Sequence, residues 1–144
     1  MLFLTGHLGN WELVAWAVAS LGYPASAVGR RSYHEGITDL VHSLRQGAGV
    51  EVMYREDPSL ARQLLGALQG GRIVGLLVDP STDLPSRRVA FLGRAAPTMQ
   101  APARLSLRHA GAVVFGWCHE SRTGRLEVEI EPVVVQRTMT VEEA

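Results

Sequence analysis

His7 and Glu12 stand five residues apart in the stretch GHLGNWE, between the apolar run Leu2-Phe3-Leu4 and the almost wholly apolar segment from Trp11 to Leu21. A histidine and a carboxylate suit general-base work. The carboxylate holds one imidazole nitrogen and fixes the tautomer, and the other nitrogen takes a proton from a hydroxyl or from water. On a continuous helix a separation of five is about 500° of rotation, which leaves the two side chains roughly 140° apart. They meet only if His7 lies in a turn ahead of the helix and Glu12 in its first turns, and Gly6 and Gly9 supply such a turn. The bland alternative is a core histidine bonded to a backbone carbonyl, with Glu12 capping the helix.

Other polar groups stand at matching places. Asp79 closes the apolar run Ile73–Val78, and Arg30 follows the short run Ser26–Gly29. In open parallel sheets ligands collect beyond the carboxyl ends of the strands, so His7, Arg30 and Asp79 are expected at one rim. Asp79 is also a turn former before Pro80. Arg45 is either a site cation or a solvated helix-end residue. Tyr54-Arg55 and Arg87-Arg88 suit phosphate groups. Cys118 sits in an apolar run with no activating neighbour and reads as an inert core thiol. His34, His42, His109 and His119 lack metal-ligand spacing, so no metal is expected.

The elements that must position these groups alternate. Strands are expected at Met1–Thr5, Ser26–Gly29, Val50–Tyr54 and Ile73–Val78. Helices are expected over Trp11–Leu21, reading as buried, then Ile37–Gln46 and Pro58–Leu68. A further strand at Val89–Leu92, a helix from about Ala101 to His109, and strands at Ala112–Cys118 and Leu126–Glu131 complete the chain, with Val133–Val135 a candidate extension. Strand–helix alternation implies right-handed βαβ crossovers, hence an α/β fold with a mostly parallel central sheet and helices on both faces. No linker interrupts the 144 residues, so one domain is expected over 1–144.

Composition narrows the class. Hydrophobic residues make up 47% and charged residues 19%, as in a globular protein rather than a disordered one. Net charge is zero, so no global basic footprint argues for nucleic acid. One cysteine excludes an intrachain disulfide. No apolar run approaches the ~18 residues of a transmembrane helix. A chain that opens on a core strand reads as a fragment of a longer protein.

GHLGNWEL resembles the first signature of the lipid A biosynthesis acyltransferase family, the H-x4-E branch of the glycerolipid acyltransferases. Two further blocks resemble that family in the same order. VGRRSYHEGITDLVHSLRQGAGVEVMYR is similar to its arginine-bearing segment. VGLLVDPSTDLPSRRVAFLGRAAPTMQAPARLSLRHAGAVV is similar to its aspartate block and the one that follows. The chain departs from the pattern at Pro80, where Gln is usual, at Ala101, where Gly is usual, and in RSYHEG, which lacks the usual Pro and Asn.

The resemblance implies transfer of a fatty acyl chain from an acyl-carrier-protein or acyl-CoA thioester to a hydroxyl of a membrane glycolipid such as a lipid A precursor. His7 is then the general base, Glu12 its orienting partner, and Arg45 the donor to the oxyanion. Arg30, Asp79, Asn10 and Arg55 become substrate-binding residues, with Asp79 holding an arginine. No cofactor is implied beyond the phosphopantetheine carried by the donor. The implied partners are acyl carrier protein, an anionic lipid acceptor and the membrane surface, with no nucleic acid. The implied location is the cytoplasmic side of the inner membrane, where a membrane-associating segment precedes the region. Two other readings stay open: a hydrolase that activates water through His7 and Glu12, without the G-x-S-x-G nucleophile elbow, and a lipid- or carrier-binding fragment without activity.

Overall fold

The computed structural model describes residues 1–80, 85–109 and 111–135. Its elements run β1 (Leu2–Thr5), α1 (Trp11–Ser20), β2 (Ala25–Gly29), α2 (Glu35–Gly47), β3 (Val50–Tyr54), α3 (Leu60–Gln69), β4 (Ile73–Leu77), β5 (Ser86–Phe91), β6 (Arg94–Met99), α4 (Ala101–His109), β7 (Val113–Glu120) and β8 (Leu126–Pro132). The main sheet has six strands in the order β3-β2-β4-β1-β7-β8. Every pairing in it is parallel except β7 with β8. This is the α/β architecture expected.

Alternation along the strands sends successive side chains to opposite faces. Leu2, Val74, Leu76 and Val113 pack on one face with Leu64 and Leu68 of α3, joined by Leu105 of α4. Phe3, Ala25 and Val50 pack on the other face with Val14 and Val18 of α1. Leu2 and Val74 are wholly buried, and burying a side chain of that size contributes about 1.5–3 kcal/mol. Chain leaving β1 therefore turns to one face and chain leaving β4 feeds helix α4 on the other. The carboxyl ends of these adjacent strands frame a crevice at a topological switch point, the usual place for a ligand.

Four points differ from expectation. Helix α1 buries only a stripe around Val14 and Val18, while Trp16 is half exposed. It packs on one sheet face, and among the described residues no second layer covers its outer side. Helix α3 begins at Leu60 rather than Pro58, because the Asp57 carboxylate takes the backbone N–H and the hydroxyl of Ser59, both at 2.7 Å, and holds a turn there. Strand β6 was not expected. It pairs antiparallel with β5 in a separate two-stranded sheet. The candidate extension at Val133–Val135 adds no strand, although the Val133 N–H reaches the Val113 carbonyl at 2.9 Å. No described helix is long and apolar enough to cross a membrane.

Candidate active site

Register brings the first two site groups together. Thr5 pairs with Leu77 in the parallel β1–β4 ladder, and the Val78 N–H donates to the Thr5 carbonyl at 2.9 Å. His7 and Asp79 each lie two residues beyond the paired positions, so they emerge side by side. The Asp79 carboxylate grips His7 twice. One oxygen accepts the His7 backbone N–H at 2.8 Å, and the other lies 2.9 Å from ring Nδ1. Burial pushes the Asp79 carboxyl up, but these bonds to His7 outweigh it and hold it below the ordinary carboxylate value of 3.8. A carboxylate on Nδ1 favours the tautomer with its proton there, in which Nε2 is the acceptor. Trp11 packs edge-on against the imidazole, with ring centroids 4.5 Å apart, and limits its swing.

Two glycines shape the turn. A Cβ on Gly6 would stand 3.2 Å from the Asp79 carboxylate, so the bare backbone lets Asp79 close on His7. Gly9 has φ +62 and bridges to Cys118 of β7. A Cβ there would lie 1.7 Å from the Cys118 carbonyl oxygen.

Glu12 has a different partner from the one expected. In the first turn of α1 its carboxylate faces Arg45, in the last turn of α2. Arg45 Nε donates to one Glu12 oxygen at 2.9 Å, and its Nη2 donates to the other. A guanidinium fork matches a carboxylate edge in this way. The bond to Glu12 raises the Arg45 pKa against the opposing effect of burial. The two carboxylates have therefore exchanged places relative to expectation. Asp79, expected to hold an arginine, holds the histidine, and Glu12, expected on the histidine, holds an arginine. A separation of five residues cannot compete with a ladder that delivers Asp79 directly beside His7.

The remaining expected residues divide. Asn10 caps α1, its side-chain oxygen accepting the Leu13 N–H at 3.2 Å, which is a structural task. Arg30 donates to the Tyr33 hydroxyl at 2.7 Å and lies over that ring. Arg55 contacts Glu56 at 3.2 Å. Arg88 of β5 reaches the Ala95 carbonyl at 3.3 Å, within its own hairpin. Cys118 is buried. Part of the loop between Asp79 and β5 lies outside the described residues. Among those described, no group of three or more His, Cys, Asp or Glu is placed to hold a metal ion.

A cavity of about 600 Å³ opens at this rim. His7, Glu12, Arg30, Arg45 and Arg55 line its polar side, and Leu60, Leu64, Leu76, Met99 and Leu105 line its apolar side. Sequence reasoning did not mark Trp11 or the apolar wall. Trp11 was visible inside NWE, whereas the wall comes from four separate elements. One compartment thus joins a carboxylate-held imidazole, three guanidinium groups and a surface suited to hydrocarbon.

A search of curated proteins gives no match. The family model for the bacterial lipid A biosynthesis acyltransferases matches residues 1–141 of the 144. That match spans every element that builds the cavity, and the chain belongs to the bacterial lipid A biosynthesis acyltransferase family.

Proposed function

We propose that this chain transfers a fatty acyl group from an acyl-carrier-protein thioester to a hydroxyl of an anionic membrane glycolipid of the lipid A precursor type, with His7 as general base and Asp79 as its partner. Membership of an acyltransferase family supplies an acyl donor and a lipid acceptor in general terms. The observation that carries the mechanism is the double contact of Asp79 with His7 at the edge of a cavity with apolar walls.

In this reading Nε2 of His7 removes the proton of the acceptor hydroxyl as its oxygen attacks the thioester carbonyl. The new C–O bond gives a tetrahedral oxyanion. Collapse breaks the C–S bond, and the proton on Nε2 passes to the departing thiolate. Asp79 holds the Nδ1–H tautomer and balances the imidazolium that forms. General-base assistance of this kind is worth ~10²–10⁴-fold.

Glu12 is a positioning residue that holds Arg45 against the cavity. One guanidinium edge of Arg45, Nε with Nη2, goes to Glu12, which leaves the N–H groups of Nη1 for the oxyanion or a nearby phosphate. Losing an oxyanion donor costs about 3–4 kcal/mol. Arg30 and Arg55, on the polar side of the cavity, suit the phosphate of the acceptor or of the carrier arm. The acyl chain lies along Leu60, Leu64 and Leu105. The work is done at the cytoplasmic face of the inner membrane, where both substrates are available.

The test is transfer of labelled acyl chains from carrier protein to extracted membrane lipid. His7→Ala is expected to lower the rate by at least about 10²-fold with the fold retained, since His7 is an exposed residue outside the core. Full activity in that variant ends the general-base assignment. Release of free fatty acid by the unaltered protein, without lipid acylation, replaces transfer by hydrolysis.

A further inference from the structure

We propose that the β5–β6 hairpin is a membrane-inserting finger that docks the protein on an anionic lipid surface. Strands β5 and β6 pair only with each other among the described residues, and every residue of β5 is exposed. An isolated two-stranded hairpin is marginally stable in water, so one that leaves the body of the fold in this way calls for a partner.

Its residues state what that partner is. Phe91 is 66% exposed and Leu92 89%, at the turn, and Val89, two residues before Phe91, is 45% exposed. From Ser86 to Met99 there are three arginines, Arg87, Arg88 and Arg94, and no Asp or Glu, in a chain whose net charge is zero. Phe91 and Leu92 stand at the tip, Arg94 flanks them as the partner of Phe91, and Arg87 and Arg88 lie along β5 behind. An apolar tip flanked and backed by arginines suits hydrocarbon below phosphate headgroups: Phe91 and Leu92 enter the acyl region, the long Arg94 side chain reaches back from the tip, and Arg88 stands at the anionic layer. A docking site for an acidic protein has no need of an apolar tip.

The turn adds an independent observation. Its central pair is Leu92 with φ 49 and Gly93 with φ 76. Hairpins that require left-handed values at both positions favour Asn-Gly or Asp-Gly. A leucine there crowds its Cβ against the carbonyl and also sets an apolar side chain in water. Both costs are met at the residue that would enter the bilayer first. The base of the finger sits at the cavity. The Gln100 N–H bonds the Pro85 carbonyl at 3.1 Å, and Met99 and Ala101 line the cavity wall. A finger seated in lipid brings that wall to the membrane surface.

The experiment needs no activity, so it stands or falls apart from the acyl-transfer reading. Leu92→Cys, carrying an environment-sensitive dye, is mixed with phosphatidylglycerol–phosphatidylethanolamine vesicles. The native thiol, Cys118, is 1% exposed and stays unlabelled. The dye is expected to shift to the blue on these vesicles. Phe91→Ser with Leu92→Asn is expected to lower vesicle partitioning at least about tenfold while the thermal midpoint holds or rises, because Asn suits the left-handed turn. Arg88→Gln with Arg94→Gln is expected to weaken binding to anionic vesicles and to flatten its salt dependence. Three results overturn the proposal: a dye spectrum unchanged by vesicles, tip variants that partition like the parent, or tip variants that lose acyl carrier protein while keeping vesicle binding.

Discussion

Replacing Asp79 by Asn removes one charge and turns one acceptor atom into a donor, at a site where the geometry demands two acceptors. One carboxylate oxygen takes the His7 backbone N–H at 2.8 Å and the other meets ring Nδ1 at 2.9 Å. The backbone group is a fixed donor, so the amide oxygen stays with it and the amide NH2 faces Nδ1. Nδ1 must then accept, and the ring proton moves to Nε2, the nitrogen that has to be bare. Restoring the working tautomer sets two donors against each other. That costs about 1–3 kcal/mol, or roughly a 5- to 150-fold loss. The imidazolium formed during reaction also loses its counter-charge. Between charges about 4 Å apart this is about 1 kcal/mol in water and about 4 near a protein surface. His7 and Asp79 are both about half exposed, at 48% and 43%, so a value toward the lower end applies. The combined loss, about 2–5 kcal/mol or roughly 30- to 5,000-fold, overlaps the ~10²–10⁴-fold that a general base contributes. Single-turnover transfer from saturating acyl carrier protein is the assay, with the effect expected in kcat and little change in KM. A rate within tenfold of the parent, in a protein with an unaltered thermal midpoint, refutes the dyad.

The other predictions follow from the same contacts. In double-mutant cycles on kcat/KM, Glu12→Gln is expected to couple to Arg45→Gln by about 0.5–3 kcal/mol and to combine additively with Asp79→Asn; strong coupling of Glu12 to Asp79 returns Glu12 to the histidine. Gly9→Ala adds a Cβ 1.7 Å from the Cys118 carbonyl oxygen at φ +62, so denaturant unfolding is expected to show at least about 1–3 kcal/mol of destabilisation, with activity lost alongside. Because the folded Asp79 carboxyl lies below its ordinary value of 3.8, its contribution to stability is fully present above that value and disappears as pH falls through the folded one. The stability difference between the parent and Asp79→Asn is therefore expected to be constant at neutral pH and to shrink in acid; a difference that grows in acid reverses the sign and the assignment.

Much of the fold is legible because its signals are local. Ile73–Leu77 and Val113–Cys118 are apolar and β-branched, and turn residues separate them from helices of evident periodicity, so their place in a buried parallel sheet follows. The hairpin strand β6 was missed because its turn, Leu92-Gly93, lacks the Asn-Gly or Asp-Gly signal, and because Pro97 argues against a strand. The exposed flank of α1 was missed for a different reason. Beyond Glu12 and Ser20, WELVAWAVAS is apolar on every side, and composition does not tell which side meets the sheet.

The site shows where local reading stops. His7, Asp79 and Arg30 were placed at one rim by strand ends alone, since the carboxyl ends of parallel strands face the same way. Proximity in the chain points to Glu12, five positions from His7, whereas the partner in the fold is Asp79, 72 positions away. Distance along a sheet is set by register, and register is written in the alternation of strands rather than in the spacing of a motif. Once Thr5 pairs with Leu77, the residues two positions beyond them have nowhere to go but toward each other, and both are held by a rigid ladder. Glu12 starts from a helix on one face of the sheet and meets Arg45 at the end of the next helix, so that pair joins α1 to α2. The arrangement assigns the rigid ladder to the imidazole, whose tautomer tolerates no drift. It leaves the helix-borne pair to hold a guanidinium, whose long side chain absorbs small movements. A change in the packing of α1 against the sheet, such as Val14→Ala or Val18→Ala, should therefore disturb Arg45 more than His7. The kinetic signature is a loss on acyl transfer with the pH dependence of the base unchanged; a shifted pH profile in those variants would show that α1, and with it Glu12, reaches the histidine after all.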